Sequence, residues 1–325
     1  MFENQRIVIT GTGGKVAFEV ALILAEKNEV YGFDICHSET RRKRLEEKGA
    51  KLFEGDFTTN QFNGLPEDPD YVLHFAAACY PKTFKDGMKV NAIGAANVMN
   101  HCKKAKAFLY ISSCAVYRRE ADSDFVYTEE NCYLGNDQYG ILGHYGSSKI
   151  AGEGAVCTMA NMLKLPSVIC RLDVPYGFNT RSVPMVHLGA LMTDTPIMLP
   201  ETYKFIVCPI HVEDIAAFME PLCKAASWED VPMVTLGSDD YVEAKEYMAL
   251  FEELSGKKAS YIYTDDAQMT SGIYDPTYRK SITGPCKWSW KEGFTALAEK
   301  WMEILKDPVA ASAALEVGNA PNLNN

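Results

Sequence analysis

Five short apolar runs rich in β-forming residues recur through the first 112 residues, and segments with helical spacing lie between several of them. The runs are Arg6–Thr10, Glu29–Asp34, Ala50–Phe53, Asp70–Phe75 and Ala107–Ser112. Val16, Val20, Ile23 and Leu24 keep near one helix face; Val90, Ile93, Val98 and His101 do so less tidily. Strands alternating with helices predict βαβ units, so the expected fold class is α/β, a Rossmann-type doubly wound parallel sheet with a smaller C-terminal lobe. A long helix is expected from about Tyr145 to Leu163, with a strand at Ser167–Leu172 after it. Beyond residue 173, Pro175, Pro184, Pro196, Pro200 and Pro209 predict loops and short elements, until helices return at Glu213–Ala225, Val242–Ser255 and Lys291–Leu305.

The first run leads into Thr10-Gly11-Thr12-Gly13-Gly14-Lys15-Val16-Ala17, in which Gly11, Gly14 and Ala17 fit G-x-x-G-x-x-[GA]. A tight turn, a close backbone approach and the free N–H groups of the next helix suit a pyrophosphate. A lone glycine motif is weak, but this one has a strand before it and an amphipathic helix after it. Asp34 ends the second run, where a carboxylate accepts from ribose hydroxyls and repels a 2′-phosphate, favouring NAD over NADP. Asp56, in Glu54-Gly55-Asp56-Phe57, is placed either to meet the adenine amino group or to close a strand. In His74-Phe75-Ala76-Ala77 the small residues admit a cofactor, and His74 reads as a packed strand residue.

Tyr145-Gly146-Ser147-Ser148-Lys149 is a Y-x-x-x-K pair. Residues four apart share a helix face, so the Lys149 ammonium can approach the Tyr145 phenol and pull its pKa down from about 10. That makes Tyr145 a candidate acid/base. The fifth run delivers Ser112 and Ser113 to the carboxyl end of a parallel strand, where ligands bind. Ser113 is the expected partner of the reacting oxygen, with Ser112 in reserve, although either serine could serve only as a backbone cap.

A net charge of −11 argues against a nucleic-acid surface. The run Arg41-Arg42-Lys43-Arg44, followed by Glu46 and Glu47, is expected on a solvated helix face, though it keeps NADP open as a lesser alternative. Ten scattered cysteines form no C-x-x-C pair and no zinc pattern, so reduced thiols and no metal are expected. The N-terminus lacks a signal-peptide pattern and no apolar stretch reaches the ~20 residues of a span, which predicts a cytoplasmic protein without membrane contact.

Taken together these motifs resemble the extended short-chain dehydrogenase/reductase family, which includes NAD-dependent epimerases and dehydratases. Val90-Asn91-Ala92-Ile93-Gly94, Ile111-Ser112-Ser113-x-x-Val-Tyr, Arg171-x-x-x-Pro175-Tyr176-Gly177 and Pro209-Ile210-His211-Val212-Glu213-Asp214-Ile215-Ala216 extend the match over almost the whole chain. The resemblance implies Tyr145 as acid/base, Lys149 holding the nicotinamide ribose and Ser113 binding the substrate oxygen. It implies cofactor contacts from Gly11, Gly13, Gly14, Lys15, Val16, Asp34, Asp56, Phe57, Phe75, Ala76, Ala77, Asn91, Ile111, Tyr145, Lys149 and Pro175. Substrate contacts are expected from Tyr80, Ser113, Cys114 and Tyr176. The implied division is an NAD-binding domain over 1–172, a substrate lobe over 173–306 with some segments returning to the first, and a poorly ordered tail over 307–325. A homodimer is implied, with helices at about 85–104 and 145–163 pairing across the symmetry axis.

Three departures bear on substrate. Arg118 replaces the family's glycine after Val-Tyr, and the stretch to His144 is long, with Asp122, Asp124, Phe125, Tyr127, Tyr133 and Tyr139; it is either a pocket wall or a solvent loop. The segment Phe205-Ile206-Val207-Cys208-Pro209 lacks the arginine that binds a diphosphate in sugar-nucleotide members, leaving Lys204 or Arg181 to compensate. Ala78-Cys79-Tyr80-Pro81-Lys82 is short before Asn91, and Tyr80 and Lys82 are in reach of the pocket. The leading expectation is therefore an NAD-dependent oxidoreductase acting on a small polar alcohol or carbonyl, with a sugar or sugar acid fitting well. The alternatives are a nucleotide-sugar epimerase or dehydratase that retains NAD, and a non-catalytic NAD-binding protein.

Overall fold

The computed structural model describes residues 1–135, 140–180, 182–264 and 271–305. Its centre is a seven-stranded sheet, parallel throughout. The strands are β1 (Arg6–Thr10), β2 (Glu29–Asp34), β3 (Lys51–Glu54), β4 (Tyr71–His74), β5 (Ala107–Ser113), β6 (Ser167–Leu172) and β7 (Met233–Leu236). They lie in the order β7-β6-β5-β4-β1-β2-β3. From β1 the chain winds outward through β2 and β3, then returns to β4 on the other side of β1. The order reverses at the β1/β4 seam, where the carboxyl ends of an open α/β sheet leave a crevice.

Helices cover both faces. Helix α1 (Val16–Leu24) and the helix Val212–Lys224 bury Phe18, Val20, Ile215 and Met219 on one side. On the other, the segment 84–101 and the long helix Gly140–Leu163 bury Val98, Met99, Val156 and Ala160. A separate apolar cluster joins Tyr176, Leu188, Tyr247, Phe251, Phe294 and Trp301 in the C-terminal lobe. Residues 233–236 return to the central sheet as β7, so the later half of the chain completes the first.

The structure corrects several sequence expectations. Residues 84–101 form α-helix at Phe84–Met88, π-helix at Lys89–Gly94 and α-helix again at Ala95–His101. The wider π turn shifts the phase, which is why the apolar spacing reads untidily and why Ile93 is 49% exposed. Among the expected loops after residue 173 stands the helix Val183–Met192, with Pro184 in its first turn, where a missing N–H costs nothing. The basic run lies only in part on a solvated face, with Lys43 exposed and Arg42 half-buried. Arg41 is 1% exposed and donates to the Gly13 carbonyl, and Arg44 bonds Asn179 and covers the Phe18 ring. The long helix starts at Gly140, so Tyr145 stands inside it, not at its opening.

The described part of the stretch after Tyr117 is largely exposed but is tied to the body of the chain by pairing. Val126–Tyr127 pairs with Ile273–Tyr274, and Tyr127 packs against Tyr117 and Tyr274. Tyr139, Arg181 and the expected tail 307–325 lie outside the described residues. All ten cysteines are free. Among the described residues no helix is long and apolar enough to cross a membrane.

At Gly152 the long helix meets the π turn so closely that a Cβ would touch the Tyr110 hydroxyl and the Asn91 carbonyl. Gly152→Ala is expected to lower unfolding stability by about 1–3 kcal/mol in urea titrations, the range for overpacking. An unchanged midpoint would contradict that packing.

Candidate active site

At the β1/β4 seam Gly11 turns with φ +83°, and a Cβ there would stand 2.8 Å from the Ala76 backbone nitrogen. At Gly13 a Cβ would meet the Cys36 carbonyl and lie 3.0 Å from the Asp34 carboxylate. The loop is closed by Gly14 N–H donating to Gly11 O at 2.8 Å, and Lys15 and Val16 open α1. This bare backbone cradle at a helix N-terminus fits a dinucleotide's pyrophosphate. Asp34 accepts from Gly13 N–H at 2.8 Å and from Ile35 N–H at 2.7 Å, and burial pushes its carboxyl up. Each of its oxygens keeps a second lone pair for a ribose hydroxyl.

Asp56 caps the turn Phe57–Thr59, accepting from Thr58 N–H and Oγ1 at 2.8 and 2.6 Å. Both sequence roles for Asp56 remain compatible with that geometry. The Phe57 side chain is buried beside Phe33 and His74, so its ring belongs to the core. His74 is a packed strand residue, as expected. It hydrogen-bonds Thr10 Oγ1 at 2.9 Å and stacks on Phe108 and Tyr110. Burial pushes its pKa down to about 3.

Phe75, Ala76 and Ala77 are half-buried and carry the backbone past Gly11; Ala76 N–H donates to Thr10 Oγ1 at 3.3 Å. Asn91 is wholly buried in the π turn. Its Oδ1 accepts from Ala78 N–H at 2.9 Å, and its Nδ2 donates to Ser148 Oγ at 2.8 Å. Ser148 Oγ donates in turn to the Tyr145 carbonyl at 2.8 Å. The Asn91 carbonyl accepts from Tyr110 at 2.9 Å.

Ser113 Oγ accepts from Ala115 N–H at 3.2 Å and lies near enough to the Tyr145 phenol to lower its pKa. Ser112 Oγ instead donates to Glu153 Oε1 at 2.6 Å, and Ser112 is 2% exposed. That geometry separates the two serines. Lys149, 1% exposed, donates to the Ile111 carbonyl at 2.7 Å and stands 3.5 Å from the Tyr110 hydroxyl. Burial pulls its pKa down to about 8, against the opposing pull of Cys79 and Glu153. The expected lowering of the Tyr145 pKa does not occur here. Burial pushes that phenol up, Cys79 adds to the rise, and the nearby Ser113 only partly offsets it.

Of the expected substrate contacts, Tyr80 is 73% exposed and close enough to act on the Tyr145 phenol. Cys114 is 1% exposed, with its thiol on the Arg171 carbonyl at 3.3 Å. Tyr176 corrects the expectation outright. It is fully buried between His211 and Phe294, because β-pairing of Pro175–Tyr176 with Ile210–His211 turns its ring into the lobe's core. Pro175 remains half-buried at that seam. Lys204 does not stand in for the missing arginine, since its ammonium binds both Asp124 oxygens at 2.7 and 2.8 Å. Sequence reasoning missed Cys79, Glu153 and Arg41. Glu153 had a signal, four residues beyond Lys149; Cys79 had none.

Residues 7–227 match the family model described as NAD dependent epimerase/dehydratase family. No curated protein sequence matches the chain. Among solved structures, UDP-glucuronic acid 4-epimerase from Bacillus cereus, in complex with UDP-glucuronic acid and NAD, is similar at 16% identity and a TM-score of 0.74, over 90% of this chain and 98% of that one. An epimerase from Methanothermobacter thermautotrophicus gives 20% and 0.78, over 96% of each chain. A dTDP-glucose 4,6-dehydratase from Bacillus anthracis in complex with NAD gives 15% and 0.77, over 96% of this chain and 100% of that one. At these identities the likeness is one of fold.

Neutral His74 costs the protein at low pH. Its folded pKa lies below the ordinary 6.5, so its contribution to stability is full above that value and is lost as pH falls toward 3. His74→Phe should flatten the stability–pH curve between these limits by about 1.4 kcal/mol per pH unit. Parallel curves for the two proteins would rule out a neutral His74.

Proposed function

The chain belongs to the NAD dependent epimerase/dehydratase family, and from that premise we propose that it binds NAD and oxidises a secondary alcohol on a sugar nucleotide, later returning the hydride to the same substrate. The carrying observation is Ser113 at the carboxyl end of β5 beside the Tyr145 phenol, with Lys149 buried one helical turn further on. Gly11, Gly13, Gly14, Lys15 and Val16 hold the pyrophosphate, Asp34 the adenosine ribose, and Asp56 with the Phe57 backbone the adenine. Phe75, Ala76, Ala77, Ile111 and Pro175 border the nicotinamide half, and Asn91 supports it from beneath. Bound NAD supplies a hydride acceptor.

The protein's own part is proton handling and alignment. Ser113 and Tyr145 grip the reacting oxygen from two sides, which orients the carbinol carbon. Tyr145 exchanges the hydroxyl proton. Lys149 holds the nicotinamide ribose, and its positive charge offsets the phenolate as that charge develops. Burial keeps the Tyr145 phenol protonated in the pocket at rest, so taking up the hydroxyl proton during oxidation requires the phenolate, whose charge Lys149 offsets, and the same proton goes back to the oxygen when the hydride returns. Tyr80 borders the substrate. Residues 1–172 bind cofactor, and 173–306 mainly shape the substrate end.

The solved relatives named for nucleotide sugars support the returned-hydride mode. One observation favours a second reading, net dehydrogenation of a smaller sugar or sugar acid. Phe205, Ile206, Val207 and Cys208 are buried apolar residues and Lys204 is bound to Asp124, so this segment presents no cation to a diphosphate. The ten free thiols support a reducing compartment, the cytoplasm.

Purified protein with UDP-glucose, UDP-glucuronic acid and free sugars tests both. A changed sugar with no net NADH supports the first reading, and stoichiometric NADH with a free sugar supports the second. Tyr145→Phe should abolish turnover with NAD affinity within about threefold, and Ser113→Ala should cost about 10²-fold or more in kcat, as general acid–base steps do. Full activity in Tyr145→Phe would sink both readings. We also propose a homodimer through the helices spanning 84–101 and Gly140–Leu163, which leave Ile93 and Met162 exposed at 49% and 71%. Light scattering should give twice the chain mass, and a monomer at micromolar concentration would refute it.

A further inference from the structure

Tyr145, Lys149 and Glu153 follow at intervals of four along the long helix and share one face. Three successive residues at the end of β5 meet them. Ser113 neighbours the Tyr145 phenol, the Ile111 carbonyl accepts from Lys149 Nζ at 2.7 Å, and Ser112 Oγ donates to Glu153 Oε1 at 2.6 Å. The first two contacts belong to the chemistry proposed above. The third is unused by it and is the most heavily built.

Arg171 lies beside Ser112 in the β5–β6 register. It grips both Glu153 oxygens, Nε to Oε1 at 3.0 Å and Nη2 to Oε2 at 2.8 Å, and both side chains are 3% exposed. Its Nη1 donates to Tyr117 Oη at 3.3 Å, and that oxygen shares a hydrogen bond with Thr235 Oγ1 at 2.6 Å. Taking two ions out of water is costly, and apolar residues of equal volume often hold a core as well. A buried pair at this height on the helix therefore calls for a role in register or charge.

We propose that Glu153, clamped by Arg171, is a positioning residue: it fixes the helix face against residues 111–113 and supplies the counter-ion for the buried Lys149 ammonium. This rests on the roles proposed for Tyr145 and Lys149. Apart from the Arg171 guanidinium held on the far side of Glu153, the other groups around Lys149 are neutral at pH 7. From β5 comes Tyr110, whose phenol is pushed up by burial. From β4 comes His74, held neutral, and from the following segment Cys79, whose thiol is pushed up by burial. On its own helix Tyr145 stays protonated. Glu153 is the carboxylate among these described neighbours.

The direct test reads Lys149 itself, in the full chain without substrate. Lysine labelled with ¹³C at Cε is titrated by NMR, and the Lys149 signal is identified by its loss in Lys149→Met. The wild-type midpoint is expected near pH 8. Glu153→Gln should lower it by about 1 unit, the effect of removing a nearby opposite charge. Glu153→Asp, which keeps the charge, should titrate near the wild-type value even if its melting temperature falls. Glu153→Gln with Arg171→Gln removes both ions and covers the case in which an unpaired guanidinium prevents folding; with the cation gone too, the midpoint should fall by less than in Glu153→Gln alone.

A purely structural Glu153 would lower the melting temperature and leave the midpoint in place; that result overturns the proposal. Turnover is then followed with the sugar probe that the wild type converts. Glu153→Gln should lose about tenfold in kcat with KM within about twofold, as expected when only the transition state is affected; unchanged kcat overturns the positioning role. Activity in Tyr145→Phe would instead break the functional reading, while the Lys149 midpoint would still report whether Glu153 is its counter-ion.

Discussion

No side chain separates Gly11 from Ala76, and the crevice at the carboxyl end of the sheet depends on that bare contact. β1 and β4 are neighbours in the sheet but are far apart in sequence, and the chain leaves them in opposite directions. Their ends can diverge around a ligand only if the turn after β1 bends at once, which its positive φ requires. Everything placed beyond that turn follows from it. Asp34 at the end of β2 reaches back to Gly13, Arg41 ties the same loop to the next helix, and α1 points its N-terminus into the gap.

On the other side of the crevice the problem is different, because the groups that would do chemistry are buried. Burial favours neutral forms, and it moves Tyr145 up and Lys149 down, in each case toward the uncharged species. The two shifts separate the groups: the phenol holds its proton across neutral pH while the amine sits near its titration point. A protein that only needed to pack would fill such a region with hydrocarbon. Here most polar groups are instead given a partner, from Thr10 on His74 Nδ1 to Asn91 on Ala78 and Ser148, while His74 Nε2 has none. Such a network is stable only when nearly complete, and its partners favour a single arrangement of the site.

The fold was legible because its signals are local. A strand run, a glycine turn and a helix stripe each carry their own period, and the β1, β2 and β6 limits match the runs residue for residue. The pair Tyr145 and Lys149 was legible for the same reason, since four residues on a helix is a distance. What escaped the sequence depends on contacts between distant segments. Arg41 looks like surface charge until α2 (Glu39–Glu47) is laid beside the glycine loop. Tyr176 looks available until the pairing of residues 175–176 with 210–211 turns it inward. Ser112 and Ser113 are equivalent as letters and are separated only by Glu153, which claims one of them. The π turn shows itself in sequence only as a blurred stripe.

The same distinction explains why the substrate end is the least determined part of the chain. Around the end of β6 the chain gathers Cys114, Cys208, Tyr117 and Tyr274 into one apolar cluster, and the segment after Tyr117 closes it by pairing with residues 273–274. Asp173 lies against this cluster, accepting from Cys208 N–H at 2.7 Å, and burial pushes its carboxyl up to about 7. An acid at that point of its titration can donate or accept a hydrogen bond at neutral pH. The nearby cation that could have answered a phosphate, Lys204, is already satisfied by Asp124. A ligand placed in these surroundings would meet shape and uncharged hydrogen bonds, and such contacts discriminate most strongly against a ligand that leaves a buried polar group unpaired. Long-range assembly of neutral groups leaves no spacing in the sequence, so the chemistry of the reacting carbon is readable there while the rest of the substrate is not.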